Sequence, residues 1–268
     1  MTSGDDSDDA NFVFTAKHLS CRYGPTLPLV LRDVSIRLRP GKLCGVCGRT
    51  GSGKSTLSLA MLRCIEDIEG CMSITGIDAF KLPLQDYRKK VQLFPQDSAI
   101  LSGSVREFLD PYSVFTDLEI ISVLGSLTKV IRPSDSDEAE ERIILPLNMH
   151  IVRSGGNLSA GQKQILALAR ACLASEAKVV ILDEITSNMD KRVASAAIEV
   201  VKNELAGRNI GVLLIAHSMQ DILACDDVVV MSQGKVVEHG EPLRLLQDES
   251  SALASMNREM SLEATDAE

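Results

Sequence analysis

The sequence of 268 residues predicts an α/β fold organised around a mostly parallel sheet. Four short aliphatic runs, apolar on both faces, are typical of strands buried in a sheet that helices cover on each side. The composition is 45% hydrophobic, so the chain can bury a sizeable core as one large domain or two small lobes. Aromatic residues make up only 3%, so we expect an aliphatic core. The four runs are KLCGVC, VQLF, VVIL and GVLLIA.

Polar residues follow each of these runs. Gly48 follows the first, Gln96 comes shortly after the second, Asp183 and Glu184 follow the third, and His217 follows the fourth. The carboxyl ends of parallel strands meet at one edge of a sheet, and open α/β sheets bind ligands outside that edge. The sequence therefore predicts that these residues line one ligand site.

Between residues 96 and 158 the pattern changes to that of an inserted helical lobe. SVREFLDPY and TDLEIISVLGSLTKVI are predicted to contain helices, and the acidic, Pro-flanked RPSDSDEAEER is predicted to be a solvated loop. Further along, SAGQKQILALARACL predicts an amphipathic helix that starts near Ser159. DDVVVMSQGKVVEHG predicts a β-hairpin that turns at Gln233 and Gly234.

The net charge of −9 comes mainly from the two ends of the chain. The first ten residues hold four acidic residues and no base, and the last ten repeat that count. Such ends predict solvated disorder, and they leave a nearly neutral body. No basic block and no interleaving of aromatic with basic residues occurs, so the composition weighs against nucleic-acid binding.

The cysteines and the apolar runs bear on compartment and membrane. Seven cysteines, mostly in apolar segments, predict reduced cytosolic thiols. Cys44 and Cys47 match a redox CxxC motif, but they lie in a predicted strand where small buried residues are expected, and both interpretations stay open. The acidic, polar N terminus predicts no signal peptide. The apolar runs are far shorter than the roughly 20 residues of a spanning helix, so we expect no membrane crossing.

Residues 48–56, GRTGSGKST, fit the pattern G-x-x-x-x-G-K-[ST] between a predicted strand and a predicted helix. The glycines let backbone N–H groups surround phosphates, and the helix N terminus adds partial positive charge. We expect Lys54 to bridge the β- and γ-phosphates and Ser55 to bind Mg²⁺. The alternative is a flexible Gly-Ser turn. The predicted nucleotide-binding residues of this P-loop are Gly48, Arg49, Thr50, Gly51, Ser52, Gly53, Lys54, Ser55 and Thr56.

The P-loop predicts metal-binding, catalytic or phosphate-binding roles for the other polar residues at the strand ends. Asp183 is expected to hold Mg²⁺ through water, and Glu184 to orient and deprotonate the attacking water. Gln96 is expected to reach the metal or that water, and His217 to contact the γ-phosphate. Taken alone, each would be interpreted as an ordinary strand exit or a core histidine. Tyr23 is predicted to stack on a base, with an edge-strand aromatic as the alternative.

Six motifs, in this order, resemble the nucleotide-binding domain of ATP-binding-cassette (ABC) proteins across roughly residues 12–245: GRTGSGKST, FPQD, NLSAGQ, VVILDE, SNMD and IAHS. Three longer stretches resemble the second, C-terminal such domain of multidrug-resistance-associated (C-subfamily) exporters: YGPTLPLVLRDVS, FPQDSAILSGSVREFLDPYS and CDDVVVMSQGKVVEHGEP. The resemblance implies a P-loop NTPase core, an antiparallel N-terminal β region, and a helical subdomain at about 98–157. Residues 1–11 are expected to be an acidic tail, and residues 246–268 a C-terminal helix and acidic tail.

The resemblance also implies a head-to-tail dimer. Residues 158–162, LSAGQ, form the signature that covers the γ-phosphate of ATP bound to the partner's P-loop. Two helix N termini aimed from opposite sides can neutralise a triphosphate. In the same way Tyr23 is the adenine-stacking residue, Gln96 the Q-loop residue and His217 the switch histidine. The residues expected to act on the partner's nucleotide are Ser159, Ala160, Gly161, Gln162 and the D-loop residue Asp190.

The chain departs from the family pattern at Ala160, where glycine is commoner. The added Cβ is expected to crowd the partner's phosphate, or to strain the backbone if φ is positive there. We therefore expect asymmetry: the P-loop half hydrolyses ATP, and the LSAGQ signature covers a slow or silent site. The segment VRSGGN also lacks a glutamate common in such exporters, which puts interdomain coupling contacts in doubt.

The expected function is the Mg²⁺-dependent ATPase of an exporter, acting at the cytoplasmic face of a membrane. Its expected cofactors are ATP and Mg²⁺. Its expected partners are a second nucleotide-binding domain and the transmembrane domains of the exporter. Two alternatives are a soluble ABC ATPase acting on a macromolecular complex and a truncated, non-transporting regulatory cassette.

Overall fold

The computed structural model describes residues 11–95, 99–131, 145–186, 189–216 and 218–265. The strands are β1 (Phe14–Arg22), β2 (Leu31–Leu38), β3 (Leu43–Cys47), β4 (Asp67–Ile74), β5 (Ile77–Asp78), β6 (Val91–Phe94), β7 (Gly103–Ser104), β8 (His150–Ile151), β9 (Val179–Asp183), β10 (Gly211–Ile215), β11 (Asp227–Ser232) and β12 (Lys235–Gly240). The helices are α1 (Lys54–Met61), α2 (Leu84–Lys90), α3 (Val105–Leu109), α4 (Asp117–Ile131), α5 (Ala160–Cys172), α6 (Lys191–Ala206), α7 (Met219–Leu223), α8 (Pro242–Gln247) and α9 (Ala252–Thr265).

The central sheet has the strand order β12-β11-β3-β10-β9-β6. Strands β11, β3, β10, β9 and β6 pair in parallel, and only β12 runs antiparallel. The four aliphatic runs supply β3, β6, β9 and β10, which confirms the predicted parallel strands. The predicted hairpin at residues 226–240 is also confirmed. Its first strand, β11, has a second role that the hairpin pattern did not indicate, since it pairs with β3 in the parallel sheet.

Both faces of this sheet are covered, because alternate side chains enter two separate cores. Val46, Ile181 and Leu213 lie in the core that also contains α1, α2 and the antiparallel sheet. Val180, Leu182 and Leu214 lie in the core formed with α5, α6 and the helical lobe. Every residue of β3 and β10 is buried. Burial on both faces explains why these strands are continuously apolar and do not alternate.

The N-terminal β region is an antiparallel sheet with the order β2-β1-β4-β5. β1 lies between β2 and β4 and pairs antiparallel with both. The antiparallel region implied by the family resemblance is therefore confirmed.

The helical lobe follows β7 and ends at β8. Gly103 pairs with Ile151 and Ser104 pairs with His150, so the two ends of the insertion form a short antiparallel ladder. The predicted helices are confirmed as α3 and α4, and α4 packs against α5 and α6. The predicted acidic loop, residues 132–142, lies outside the described residues.

The start of α9 is attached to the body of the chain. Leu253 is fully buried in the core beside the helical lobe. The carboxylate of Glu238 on β12 accepts hydrogen bonds from the N–H groups of Ala252 (2.6 Å) and Leu253 (3.0 Å) and from the hydroxyl of Ser251 (2.9 Å). Glu238 therefore caps the N terminus of α9 from another element, which orients the helix.

Asp226 joins three parts of the fold just before β11. Its carboxylate accepts hydrogen bonds from the Leu43 N–H (2.9 Å) and from the ammonium groups of Lys42 (3.2 Å) and Lys202 (3.2 Å). Burial acts to raise the pKa of Asp226, but these hydrogen bonds outweigh it, so the pKa lies below its usual value. The ionised carboxylate thus stabilises the junction of β3, α6 and β11.

Replacing Asp226 with Asn is expected to lower the free energy of unfolding by about 2 kcal/mol near pH 7, because the charge-assisted hydrogen bonds are lost. A carboxyl whose pKa is depressed on folding stabilises above its unfolded pKa of about 3.9, and this contribution disappears as the pH falls through the folded pKa. Urea unfolding of both proteins should therefore give a difference that is constant from about pH 7 to 5 and shrinks below about pH 4. Glu199→Gln, at an exposed carboxylate of α6, is the control; equal stabilities of wild type and Asp226→Asn at pH 7 would contradict the assignment.

Candidate nucleotide-binding site

The residues that follow β3, β10 and β9 lie at one edge of the parallel sheet. The register pairs Val46 with Ile215, and Ile215 with Asp183, so the three strands end at the same level. The P-loop therefore leaves β3 two strands away from Asp183. This confirms the shared edge for these residues. Gln96 and His217 lie outside the described residues, and their places in the site stay predictions.

The P-loop turns tightly into α1. Three of its glycines have positive φ: Gly48 (149°), Gly51 (79°) and Gly53 (104°). Gly53 is the N-terminal residue flanking α1, and no side chain caps the helix there. The first-turn N–H groups of a helix have no partners within the helix, so they are directed at whatever occupies the loop. This end of α1 can therefore bind an anion, as the sequence pattern predicts.

Lys54 lies beneath the loop. Its side chain is only 7% exposed overall, and its ammonium donates to the carbonyl oxygens of Gly48 (2.7 Å) and Arg49 (3.3 Å). Burial lowers the pKa of Lys54, and the nearby carboxylates of Glu184 and Asp183 act in the opposite direction. The structure thus brings Lys54, the predicted phosphate-binding lysine, together with Asp183 and Glu184, the two carboxylates predicted at the ligand edge of the sheet.

Asp183 and Glu184 are half-buried at the end of β9. Glu184 has φ of 51°, a left-handed conformation that costs about 1 to 3 kcal/mol for a residue other than glycine. Its N–H donates to the carbonyl of Ile215 on β10 at 3.3 Å, which helps to hold this geometry. The unfavourable backbone turns the chain sharply at the end of the strand, where sequence analysis places the catalytic carboxylate.

Tyr23 and Thr56 link the predicted base-binding part of the nucleotide site to its predicted phosphate-binding part. Tyr23 is 56% exposed, and its hydroxyl lies 3.0 Å from the Thr56 hydroxyl at the start of α1. An exposed ring beside the P-loop is available for stacking on a base. Ser55, the predicted metal ligand, is exposed one position earlier on the same helix.

The side chain of Arg49 contacts the C-terminal helix. Its guanidinium forms an ion pair with Glu259 of α9, with both carboxylate oxygens at 2.6 Å. The pairing joins the P-loop to the C-terminal helix across 210 sequence positions. No local pattern could have indicated it. The predicted contact of Arg49 with phosphate stays a prediction.

The signature stretch forms the N terminus of α5. Ser159 caps the helix: its hydroxyl accepts from the Gln162 N–H (3.2 Å), while Gln162 accepts from the Ser159 N–H (2.9 Å). Ala160 is exposed in the first turn and is not among the residues with positive φ. The condition for backbone strain at Ala160, a positive φ, is therefore not met, because the capping box gives this residue an ordinary helical conformation. An added Cβ on Gly161 would meet no atom within 4 Å, so this surface is open.

Asp190 caps a different helix. Its carboxylate accepts from the Arg192 N–H at 2.9 Å at the start of α6. This is a local structural role, and the predicted contact of Asp190 with a partner's nucleotide stays a prediction. Ser187 and Asn188 lie outside the described residues.

Asn157 orders the loop before α5, a role that the sequence pattern did not indicate. Its side-chain oxygen accepts from the Val152 N–H (3.0 Å), and its side-chain nitrogen donates to the His150 carbonyl (2.8 Å).

The redox interpretation of Cys44 and Cys47 is not supported. Both cysteines are free and buried, and burial raises the pKa of each thiol to about 12. Thiol exchange requires the thiolate, which this environment suppresses. Their small apolar side chains instead fill the strand that leads into the P-loop. Among the described residues, no helix is long and apolar enough to cross a membrane.

The fold and the site together define a P-loop nucleotide-binding domain. The family model described as ABC transporter matches residues 31–187. The chain therefore belongs to the ABC transporter family, which confirms the resemblance seen in the motifs.

Several curated relatives are C-subfamily ABC transporters. The chain is 35% identical over 252 residues to "ABC transporter ATP-binding protein/permease VMR1" of Saccharomyces cerevisiae, covering 91% of this chain and 16% of the relative. It is 37% identical over 245 residues to "Metal resistance protein YCF1" of the same yeast (91% and 15%), and 38% identical over 245 residues to "ABC transporter C family MRP4" of Zea mays (91% and 15%). The chain thus spans about a sixth of the length of these relatives.

A solved structure supports the fold. The structure titled "Structure of a bacterial Atm1-family ABC exporter with ATP bound" matches with a TM-score of 0.76 over 92% of this chain and 42% of that chain. The identity is 22%, so this likeness concerns the fold alone.

Replacing Lys54 with Ala is expected to weaken ATP binding at least about tenfold, because its ammonium is the buried cation beneath the loop. Isothermal titration calorimetry with ATP and Mg²⁺ measures the change. Lys81→Ala, which removes an exposed lysine between β5 and α2, is the control. ATP affinity equal to that of the wild type in Lys54→Ala would contradict the placement of the phosphates.

Proposed function

We propose that the chain is the Mg²⁺-dependent ATP-hydrolysing cassette of an exporter of the multidrug-resistance-associated type. The observation that carries this proposal is the convergence of Lys54, Asp183 and Glu184 behind the P-loop at one sheet edge. The names of the relatives, which include a permease, a metal resistance protein and a C-family transporter, support a role in transport. In this proposal the nucleotide-binding domain spans residues 12–245, with the helical subdomain at about 98–157 inserted in it.

The residues at the edge fit Mg²⁺, because they offer the hydroxyl and carboxylate oxygens that this hard cation prefers. Ser55 and Asp183, with Gln96 as a further predicted ligand, would hold the metal, and the metal would neutralise phosphate charge. Phosphoryl transfer needs mainly positioning and charge neutralisation, and the chain supplies both. The Lys54 ammonium would exchange the carbonyls of Gly48 and Arg49 for phosphate oxygens. The first-turn N–H groups of α1 would bind the phosphates as well. Glu184 would accept a proton from the attacking water, and His217 would contact the γ-phosphate.

A second cassette would complete the site. Ala160 and Gly161 lie at the surface of the α5 N terminus, and their N–H groups can face an anion on another molecule, whereas the Gln162 N–H is capped by Ser159. The side-chain capping of this N terminus, through Ser159 and Gln162, makes this surface rigid before any partner binds. We therefore propose a head-to-tail dimer in which α1 of one domain and α5 of the other enclose the same triphosphate, Asp190 lying at that interface.

Because Ala160 carries no backbone strain, any defect it causes would come from its methyl group facing the partner's phosphate. In the assembled complex, Glu184→Gln should lower ATP turnover about a hundredfold or more while ATP affinity stays, since it removes only the base. Ala160→Gly should change turnover little, because the site it covers is the slow one. The exposed Glu199→Gln serves as the control. A strong rise with Ala160→Gly, combined with unchanged turnover in Glu184→Gln, would contradict the asymmetric assignment.

A groove on the side of the domain supports a membrane-domain partner. Two adjoining cavities of about 500 and 590 Å³ share Arg88, Gln92 and Arg170 between α2, β6 and the helical lobe. Leu101 and Tyr112 line them and are 61% and 72% exposed. The groove also includes Pro95, immediately before Gln96. A partner bound here would thus contact the segment that leads from β6 to Gln96, the predicted Q-loop residue.

We propose that a cytoplasmic segment of the exporter's transmembrane domains occupies this groove, which would place the chain at the cytoplasmic face of a membrane. Leu101→Asp should abolish co-purification of a polytopic membrane protein from mildly solubilised membranes, because it puts a charge into the apolar contact. Leu243→Asp is the matched control, since Leu243 is 60% exposed on α8, away from the groove. Capture of a ribosomal or DNA complex would favour the soluble-ATPase alternative instead, and no nucleic-acid partner is expected.

A further inference from the structure

The turn between β11 and β12 contacts both the P-loop, which is the predicted phosphate-binding part of the site, and the N-terminal sheet, which carries Tyr23 of the predicted base-binding part. Gln233 and Gly234 have φ of 49° and 78°, the left-handed pair of a two-residue hairpin turn. The N–H of Gly234 donates to the carbonyl of Ser52 in the P-loop at 2.9 Å. Its carbonyl accepts from the N–H of Arg32 at the start of β2 at 2.8 Å. Gly234 therefore bonds the P-loop through its N–H and the N-terminal sheet through its carbonyl.

The N-terminal contact reaches the loop that carries Tyr23. The Val30 N–H donates to the Cys21 carbonyl at 2.9 Å, which closes the loop between β1 and β2 around Tyr23. The carbonyl oxygen of Val30 lies where a Cβ on Gly234 would be, so the turn and this loop meet backbone to backbone. Only glycine permits that approach.

The strand before the turn also lies against the P-loop. A Cβ on Gly48 would overlap the carbonyl oxygen of Met231, and one on Gly53 would lie 2.9 Å from a methyl of Leu31 and 3.5 Å from the Met231 methyl. β11 and β2 therefore pack directly against the back of the loop. Tyr23 and Thr56 form a second contact between the N-terminal sheet and the P-loop region, with their hydroxyls 3.0 Å apart.

We propose that Gly234 is a positioning residue for nucleotide binding: its turn holds the Tyr23 loop and the P-loop at the separation that one nucleotide spans. The inference rests on the proposed function and adds to it a residue outside the six motifs. A nucleotide gains affinity from base and phosphates together only when both contact sites are preorganised. Shifting the turn would uncouple these contributions without removing either contact residue.

The test compares Gly234→Ala with Gly76→Ala. Gly76 has φ of 77°, so the intrinsic backbone penalty is matched, but its added Cβ would meet no atom within 4 Å. Affinities for Mg²⁺-ATP and for inorganic tripolyphosphate are measured by calorimetry or by competition with labelled ATP. Gly234→Ala should weaken ATP binding about tenfold or more and tripolyphosphate binding less than about threefold. Gly76→Ala should leave both affinities within about twofold of the wild type.

The ratio of the two affinities separates positioning from general damage. Equal losses for ATP and tripolyphosphate, or unchanged ATP affinity in Gly234→Ala, would overturn the inference. If Gly234→Ala does not fold, Arg32→Pro on the edge strand β2 removes the N–H that donates to the Gly234 carbonyl, together with the side-chain hydrogen bond from Arg32 to the Leu29 carbonyl. Arg32→Ala removes only the side-chain bond and is its control, and the change in ratio is expected in Arg32→Pro alone. Failure of the wild-type chain to bind ATP would instead overturn the proposed function, and this inference with it.

Discussion

Burial of the parallel strands on both faces is the constraint from which the site follows. β3 and β10 have no exposed residue, and neighbouring strands send alternate side chains into two apolar cores. Polar groups cannot be accommodated along such strands without a large desolvation cost, so they concentrate where the strands end. The register then brings the exits of β3 and β9 to one level, and a buried lysine, two carboxylates and a helix N terminus meet there.

Much of this arrangement could be predicted because its signals are local. The apolar runs give the strands by length and composition, and GRTGSGKST combines the strand, the glycines and the helix start in nine consecutive residues. The N-cap of α5 is likewise contained in Ser159 and Gln162, three positions apart. Each of these features depends on backbone geometry over a few residues, which sequence patterns report well.

The remaining features depend on contacts between distant parts of the chain. Arg49 in the P-loop looked like a phosphate contact, but the orientation of α9 brings Glu259 to its guanidinium. Glu238 has no local sign of its capping role, because the helix that it caps begins 14 positions later. The sequence indicates only a turn glycine at position 234, because its contacts with β2 and the P-loop form between distant parts of the folded chain. Strain at Ala160 could not be decided from its residue type, since the capping box sets its conformation.

The central claim is that the chain binds ATP by itself but needs a second cassette to hydrolyse it. The most direct measurement is Mg²⁺-ATP turnover per chain as a function of chain concentration, with ATP binding followed in parallel. The account predicts binding at every concentration, with turnover that approaches zero on dilution and rises as the chain or a partner cassette is added. Turnover per chain that is independent of concentration, down to dilutions at which the chain is monomeric, would contradict it.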